Sequence, residues 1–258
     1  MLRNTITKHH NGPRDIRWRL HEPARIEALS DAVFAFAVTL IVVSLEVPLT
    51  FHELLISMKG FFGFSICFAM LMLIWYEQYL FFRRYGIQDV KTIFYNCALL
   101  FIVLFYVYPL KFLFGFLTLG NSSVTESGEV IHKFTENYQI SQLMIVYGTG
   151  FICIYIIFYL MDRNAYLKRD QIGLNAVEVF NTKTIMYSKL MRVAVGSLSV
   201  AMSIVGVYGD PRFGMYAGIV YALIGPALGI LHSKRRKLLK KNFTPEEIAI
   251  VNDETYIA

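Results

Sequence analysis

The amino-acid sequence reads as an all-α polytopic membrane protein with six transmembrane helices and both termini on the cytoplasmic side. Three observations carry this. The 258 residues are 55% hydrophobic and 15% aromatic, with a mean hydropathy of +0.47, more apolar surface than a soluble domain of this size can hide. Six runs approach the roughly 20 apolar residues a spanning helix needs. The basic residues fall almost entirely between alternate runs, and no strand-like alternation suggests a barrel.

The runs fall at about 30–47, 54–82, 92–119, 141–161, 187–208 and 213–232. The first follows a basic segment, residues 1–27, that has no apolar stretch with a small-residue cleavage site behind it; the first run is therefore expected to stay as an anchor. The second ends on Arg83 and Arg84, and the third contains Pro109. A polar, acidic segment, GNSSVTESGEVIHKFTENY, leads to the fourth. Between the fourth and fifth, residues of about 162–188 mix apolar and charged types, which predicts a cytoplasmic interfacial helix. The spans make one channel-sized domain over 28–232, and the tail, 233–258, carries SKRRKLLKKNF, a basic membrane-edge cluster that reads as an anchor and topology signal.

With the N-terminus inside, the inner segments hold 21 of the 25 Lys and Arg residues, leaving Lys59, Lys111, Lys133 and Arg212 outside. This obeys the positive-inside rule at every connection, and five or seven helices would break it. The net charge of +6 is thereby spent at membrane edges, so nucleic-acid binding is not expected. Cys67, Cys97 and Cys153 lie within apolar runs, with no CxxC or Cys/His spacing for a disulfide framework or zinc site. No two of the six histidines share a spanning face, and neither a Ser/His pair nor clustered carboxylates appear, so an enzyme is not expected.

The stretch VGVYGD, 205–210, resembles a TVGYG selectivity filter but lacks the threonine and has an extra valine between the glycines. It joins two full spans, so it reads as a turn of Gly206, Gly209, Asp210 and Pro211. In YGTG, 147–150, Gly148 and Gly150 sit mid-span and read as sites of close helix packing.

Ionisable and polar groups within spans are functional candidates. These include Ser30, Asp31, Thr39, Ser44, Glu46, Glu77, Gln78 and Asn96. Glu77, near Arg83 and Arg84, is open between a local polar network and a functional role. On a wheel at about 100° per residue, Leu29, Ala32, Phe36, Thr39, Leu40, Val43 and Val47 form one stripe, apolar but for a single hydroxyl. Ser30 and Asp31 project to its two sides. By periodicity alone, that stripe is a lipid-facing or core surface.

The pattern of Arg25, Leu29-Ser30-Asp31-Ala32-Val33-Phe34-Ala35, Thr39-Leu40 and Pro48 resembles the Arg…Phe-Ser-Asp signature opening the first helix of the Transmembrane protein 175 family of potassium channels. Trp75, and Asn96 with Pro109, extend the resemblance into the second and third helices. It implies a channel without a TVGYG filter, in which the first helices of four repeats line a central pore. One six-helix repeat implies a homotetramer in a prokaryotic plasma (inner) membrane, with potassium ions and membrane lipids as partners and no cofactor beyond permeant K+. Matching positions give Phe36, Leu40 and Val43 as the apolar constriction, with Thr39 a hydroxyl ring near which K+ would pass; no other metal site is expected. Arg25, Ser30 and Asp31 take the role of holding the pore helix: Ser30 as a cap of the helix start, Asp31 paired with an adjacent helix or with Arg25. The chain departs from the family pattern at Leu29 (a phenylalanine there), Phe36 (isoleucine or leucine) and Gln78 (histidine), so Glu77 or Gln78 is expected to stand in near Asp31. A secondary transporter and a non-transporting scaffold remain alternatives, separable by whether ions cross and whether flux saturates.

Overall fold

The computed structural model describes residues 16, 18–19, 23–43, 50–119, 122–124, 130–132 and 138–250. Its helices are α1 (Arg25–Val43), α2 (Phe51–Tyr85), α3 (Val90–Leu119), α4 (Tyr138–Leu167), α5 (Ala176–Tyr208), α6 (Arg212–Val220), α7 (Ile224–Asn242) and α8 (Pro245–Ile250). A 3₁₀ turn, Tyr221–Leu223, joins α6 to α7. Between α3 and α4, β1 (Ser122–Val124) and β2 (Val130–His132) pair antiparallel, Ser122 opposite His132. Among the described residues the membrane part is helical, and the polar connection between α3 and α4 holds a short two-stranded pair.

Five helical stretches among the described residues are long and apolar enough to cross a membrane: Phe61–Tyr85, Val90–Leu110, Tyr138–Leu167, Ala176–Tyr208 and Arg212–Asn242. Only 17–39% of each spanning window is buried within the protomer, so much of the apolar surface is left for lipid or another copy. The first expected span corresponds to α1, whose 19 residues measure about 28 Å, close to the hydrocarbon thickness. Residues 44–49, including Ser44, Glu46, Val47 and Pro48, lie outside the described residues.

Helix α1 packs on α2 and α3, α3 on α4, and α4 along α5, the most extensive pair; α6 and α7 lie against α5. Phe34, Ala37, Leu71, Phe82, Leu99, Ile154 and Phe158 belong to one buried cluster. The glycines of YGTG serve this packing. A Cβ on Gly148 would sit 2.5 Å from Val200 Cγ2 of α5, and one on Gly150 2.4 Å from Tyr106 Cδ2 of α3.

Residues 164–188 form no separate interfacial helix. Helix α4 runs on to Leu167, a turn reverses the chain, and α5 begins at Ala176. A capping box closes that start: Glu178 N–H donates to Asn175 Oδ1 at 2.8 Å and Asn175 N–H to Glu178 Oε2 at 3.0 Å. Gly173, at φ +62°, supplies the left-handed residue the reversal needs. The two spans therefore extend past their apolar windows, because helical hydrogen bonding continues wherever side chains find partners.

The same end of the bundle is polar and tied together. Arg19 donates to the buried carboxylate of Glu178 at 2.8 Å and 3.2 Å and to the carbonyls of Ile172 and Gly173. Asp89, in the α2–α3 connection, accepts from Thr92 at 2.6 Å and Asn164 at 3.1 Å and pairs with Lys168 at 2.9 Å. Burial opposes the charge on Asp89, but the hydrogen bonds from Thr92, Lys168 and Asn164 and the Lys168 charge outweigh it and hold the carboxyl down at about 2.

At the opposite end, the VGVYGD stretch is a helix terminus and turn. Gly206 lies within α5, where a Cβ would meet Ser141 Oγ at 2.5 Å. Gly209 N–H closes α5 on the Val205 carbonyl at 2.8 Å, and Arg212 N–H donates to Asp210 Oδ1 at 2.9 Å. No re-entrant loop exists there.

Candidate functional site

The residues Arg-Ile-Glu-Ala-Leu ahead of the apolar run are compatible with helix, so α1 starts at Arg25, five residues before Ser30. Glu27 accepts from Ala24 N–H at 3.3 Å at that start, an acid in the first turn where the helix dipole favours one. Ser30 therefore does not cap the helix. Its hydroxyl donates back to the Ile26 carbonyl at 2.7 Å and accepts from Asn96 Nδ2 of α3 at 2.9 Å.

Asn96 Oδ1 in turn accepts from Gln78 Nε2 of α2 at 2.5 Å. Ser30, Gln78 and Asn96 are all buried, so this chain fastens three helices where no water competes. Beside it, Asp31 Oδ1 accepts from the Trp75 indole Nε1 at 2.7 Å. Trp75 stacks on Tyr79 at 5.7 Å, and the Arg83 guanidinium lies 5.1 Å from the Tyr79 ring. Among the described residues, no ion pair joins Arg25 to Asp31; Arg25 is exposed.

Neither stand-in expected near Asp31 reaches it. Gln78 serves Ser30 through Asn96 instead. Glu77, one residue earlier, points about 100° away around α2 to α5, where its carboxylate meets Lys189 Nζ and, at 3.3 Å, Arg192 Nη2. Lys189 is also 4.8 Å from the Phe158 ring. Glu77 thus sits in a polar network between α2 and α5. Nothing in the sequence singles out Lys189 and Arg192, three apart on one face, because pairing across 112 residues leaves no local signal.

The two faces of α1 differ sharply. Glu27, Ser30, Phe34 and Ala37 are buried, spaced to lie on one side. Leu29, Ala32, Phe36 and Thr39 are exposed on the other, with Leu40 half-buried between. Phe36, 56% exposed, is a large ring that the protomer leaves uncovered. Thr39 donates its hydroxyl proton to the Phe36 carbonyl at 2.7 Å, so its oxygen presents lone pairs outward. Val43 is in helix, but its side chain lies outside the described residues. The arrangement is an apolar stripe carrying one acceptor, backed by a polar fastening. Among the described residues, no group of three or more His, Cys, Asp or Glu side chains could hold a metal ion.

Residues 25–106, which span α1, α2 and most of α3, match the family model for the endosomal/lysosomal potassium channel TMEM175. A potassium channel of Marivirga tractuosa is 37% identical over 235 residues, covering 86% of this chain and 93% of the relative. A potassium channel of Chamaesiphon minutus is 30% identical over 114 residues, 41% of this chain and 56% of the relative. A crystal structure of a variant of the potassium channel MtTMEM175, in complex with a nanobody fusion protein, superposes with a TM-score of 0.74 at 36% identity, covering 86% of this chain and 97% of that one. These proteins are channels, not enzymes. Apolar helices, the signature at the head of α1 and identity over most of both chains lead to one assignment: this is a multi-pass membrane protein belonging to the Transmembrane protein 175 family.

Proposed function

We propose that the protein is a potassium channel that conducts passively through a central pore lined by α1 from four copies. The relatives named above are potassium channels. The observation that carries the reading is the outward stripe of α1, because one protomer leaves Phe36 and Thr39 uncovered while fixing the helix from behind. Four such stripes about a fourfold axis would cover one another, whereas one repeat supplies one wall.

In this reading Phe36, Leu40 and Val43 narrow the pathway, and apolar rings of this kind gate by shedding water. Thr39 forms the selective ring. Its proton is committed to the Phe36 carbonyl, so each copy offers only lone pairs to a cation, which replace part of the hydration shell and favour the more readily dehydrated K+ over Na+. Ser30 and Asp31 hold the helix and do not face ions. The sixth span is α1 itself, and the bias of 21 of 25 basic residues to one side orients both termini to the cytoplasm. The cell membrane of a prokaryote, with its lipids as solvent, is the setting.

The test is reconstitution in liposomes with an outward K+ gradient, comparing the wild-type chain with Phe36→Asn and Thr39→Val. Wild type is expected to pass K+ without saturating. Phe36→Asn should raise basal flux, since a polar ring keeps the constriction wet. Thr39→Val should lower the K+ over Na+ preference about fivefold, the scale of one lost polar contact of ~1 kcal/mol. Absence of flux from all three retires the channel reading.

A further inference from the structure

Helix α7 forms the second half of the last long apolar stretch, Arg212–Asn242, and carries KRRKLLKK at 234–241 without a break. Its inner side is fixed. Arg235 Nε donates to Thr184 Oγ1 at 2.9 Å, Nη2 donates to the Phe180 carbonyl at 3.3 Å, and the guanidinium lies 3.9 Å from the Phe180 ring centre. Leu239, one turn on, is half-buried on the same side. This clamp against α5 sets which way every other residue of α7 points.

Opposite the clamp runs a single stripe: Pro226, Ile230, Lys234, Lys237 and Lys241, spaced by four, four, three and four residues and falling within about 80° on the wheel. All five are exposed. The upper part is apolar, with Ile230 58% exposed; the lower part is three lysines in register with it. From Ile230 to Lys241 the rise is about 16 Å, which carries the stripe from hydrocarbon through the headgroup layer. No acid interrupts residues 232–242. The first acids beyond, Glu246 and Glu247, start α8, and Glu247 is engaged with Thr244 at 2.8 Å.

We infer that this stripe is a binding site for an anionic phospholipid, whose acyl chain lies along Pro226 and Ile230 and whose phosphate is held by Lys234, Lys237 and Lys241. Arg236 and Lys240 are exposed as well and flank the stripe on one side. Here Arg235 is withdrawn to hold α7, and the three lysines stand directly beneath an apolar track, the arrangement that a lipid with tail and charged head matches along its length. The inference needs only a multi-pass membrane protein and stands apart from the ion pathway.

The test is native mass spectrometry of the full-length protein carrying equal amounts of phosphatidylglycerol and phosphatidylcholine, with Lys234→Gln/Lys237→Gln/Lys241→Gln and the corresponding triple arginine variant. Wild type should retain phosphatidylglycerol preferentially. The glutamine variant should lose the preference by about fivefold per lysine, with its thermal unfolding unchanged, and the arginine variant should keep it. Excess inorganic phosphate should not displace the lipid. Retention of the preference by the glutamine variant, its loss in the arginine variant, or release of lipid by inorganic phosphate would each overturn the inference. So would a changed oligomeric state with unchanged lipid preference, which would assign the stripe to contact between copies.

Discussion

Trp75 Nε1 and Asp31 Oδ1 meet at 2.7 Å, joining the second helix to the first beside the exposed stripe and not on it. An indole has one donor and no acceptor, so the contact fixes the carboxylate's direction as well as its distance. Asp31 is turned toward α2, and the neighbouring Ser30 toward α3. Adjacent residues thus hold α1 from two directions, leaving the far side open.

Removal of this carboxylate should loosen the helix without changing which ion it admits. Asp31→Ala is expected to cost about 1–2 kcal/mol, the value of a charge-assisted hydrogen bond that is partly solvated, seen as a lower unfolding temperature and weaker assembly in detergent. The K+ over Na+ ratio of the surviving protein should match wild type. A stable assembly with altered selectivity would place Asp31 on the ion path.

The buried chain from Ser30 through Asn96 to Gln78 should be more sensitive. Asn96→Ala strands the Gln78 amide in a water-free site and takes away the donor to the Ser30 hydroxyl, which keeps its bond to Ile26; the unsatisfied amide costs about 1–3 kcal/mol. Thermal unfolding of single and double variants checks this. Ser30→Ala should cost less in the Asn96→Ala background than in wild type, because the partner is already gone. Additive losses would show that the chain does not act as a unit.

Glu77 compensates two cations, Lys189 and Arg192. Glu77→Gln leaves both near-buried charges unpaired and is expected to destabilise by about 3 kcal/mol or more. The combination Glu77→Leu/Lys189→Leu should recover part of that loss in the same unfolding assay, since uncharged packing removes a desolvation cost. A double variant worse than Glu77→Gln contradicts this.

Acid should reach the α2–α3 connection through Asp89. Its carboxyl is held at about 2 against an ordinary 3.8, so its contribution is fully present above about pH 4 and disappears as pH falls through 2. The gap is at most about 2.4 kcal/mol. Unfolding temperatures of wild type and Asp89→Asn should therefore differ most at neutral pH and converge below pH 2. A difference that widens in acid reverses the sign and excludes this role.

Hydropathy and charge placement reveal the helices because membrane insertion acts on local runs: about 20 apolar residues in sequence suffice to specify a span, and flanking Lys and Arg suffice to orient it. The turn at Gly209 and Asp210, the close approach at Gly148 and Gly150, and the alignment of Phe36 and Thr39 on one stripe all follow from such local rules. Boundaries followed less well. Helices α1 and α5 begin before their apolar runs, and α4 outlasts its own, since hydropathy marks where lipid is and hydrogen bonding marks where helix is.

The partners of the polar residues came from packing. Ser30 reaches Asn96 across 66 positions, Asp31 reaches Trp75 across 44, and Glu77 reaches Lys189 across 112. Nothing in the spacing along one chain distinguishes those pairings from Asp31 with Arg25 or Gln78 with Asp31. What separates them is the rotation of each helix about its axis, roughly 100° per residue. That angle is set by the buried faces of all the helices at once: Phe34 and Ala37 locked into the common core turn Phe36 and Thr39 outward, and a residue's neighbours in sequence cannot specify it.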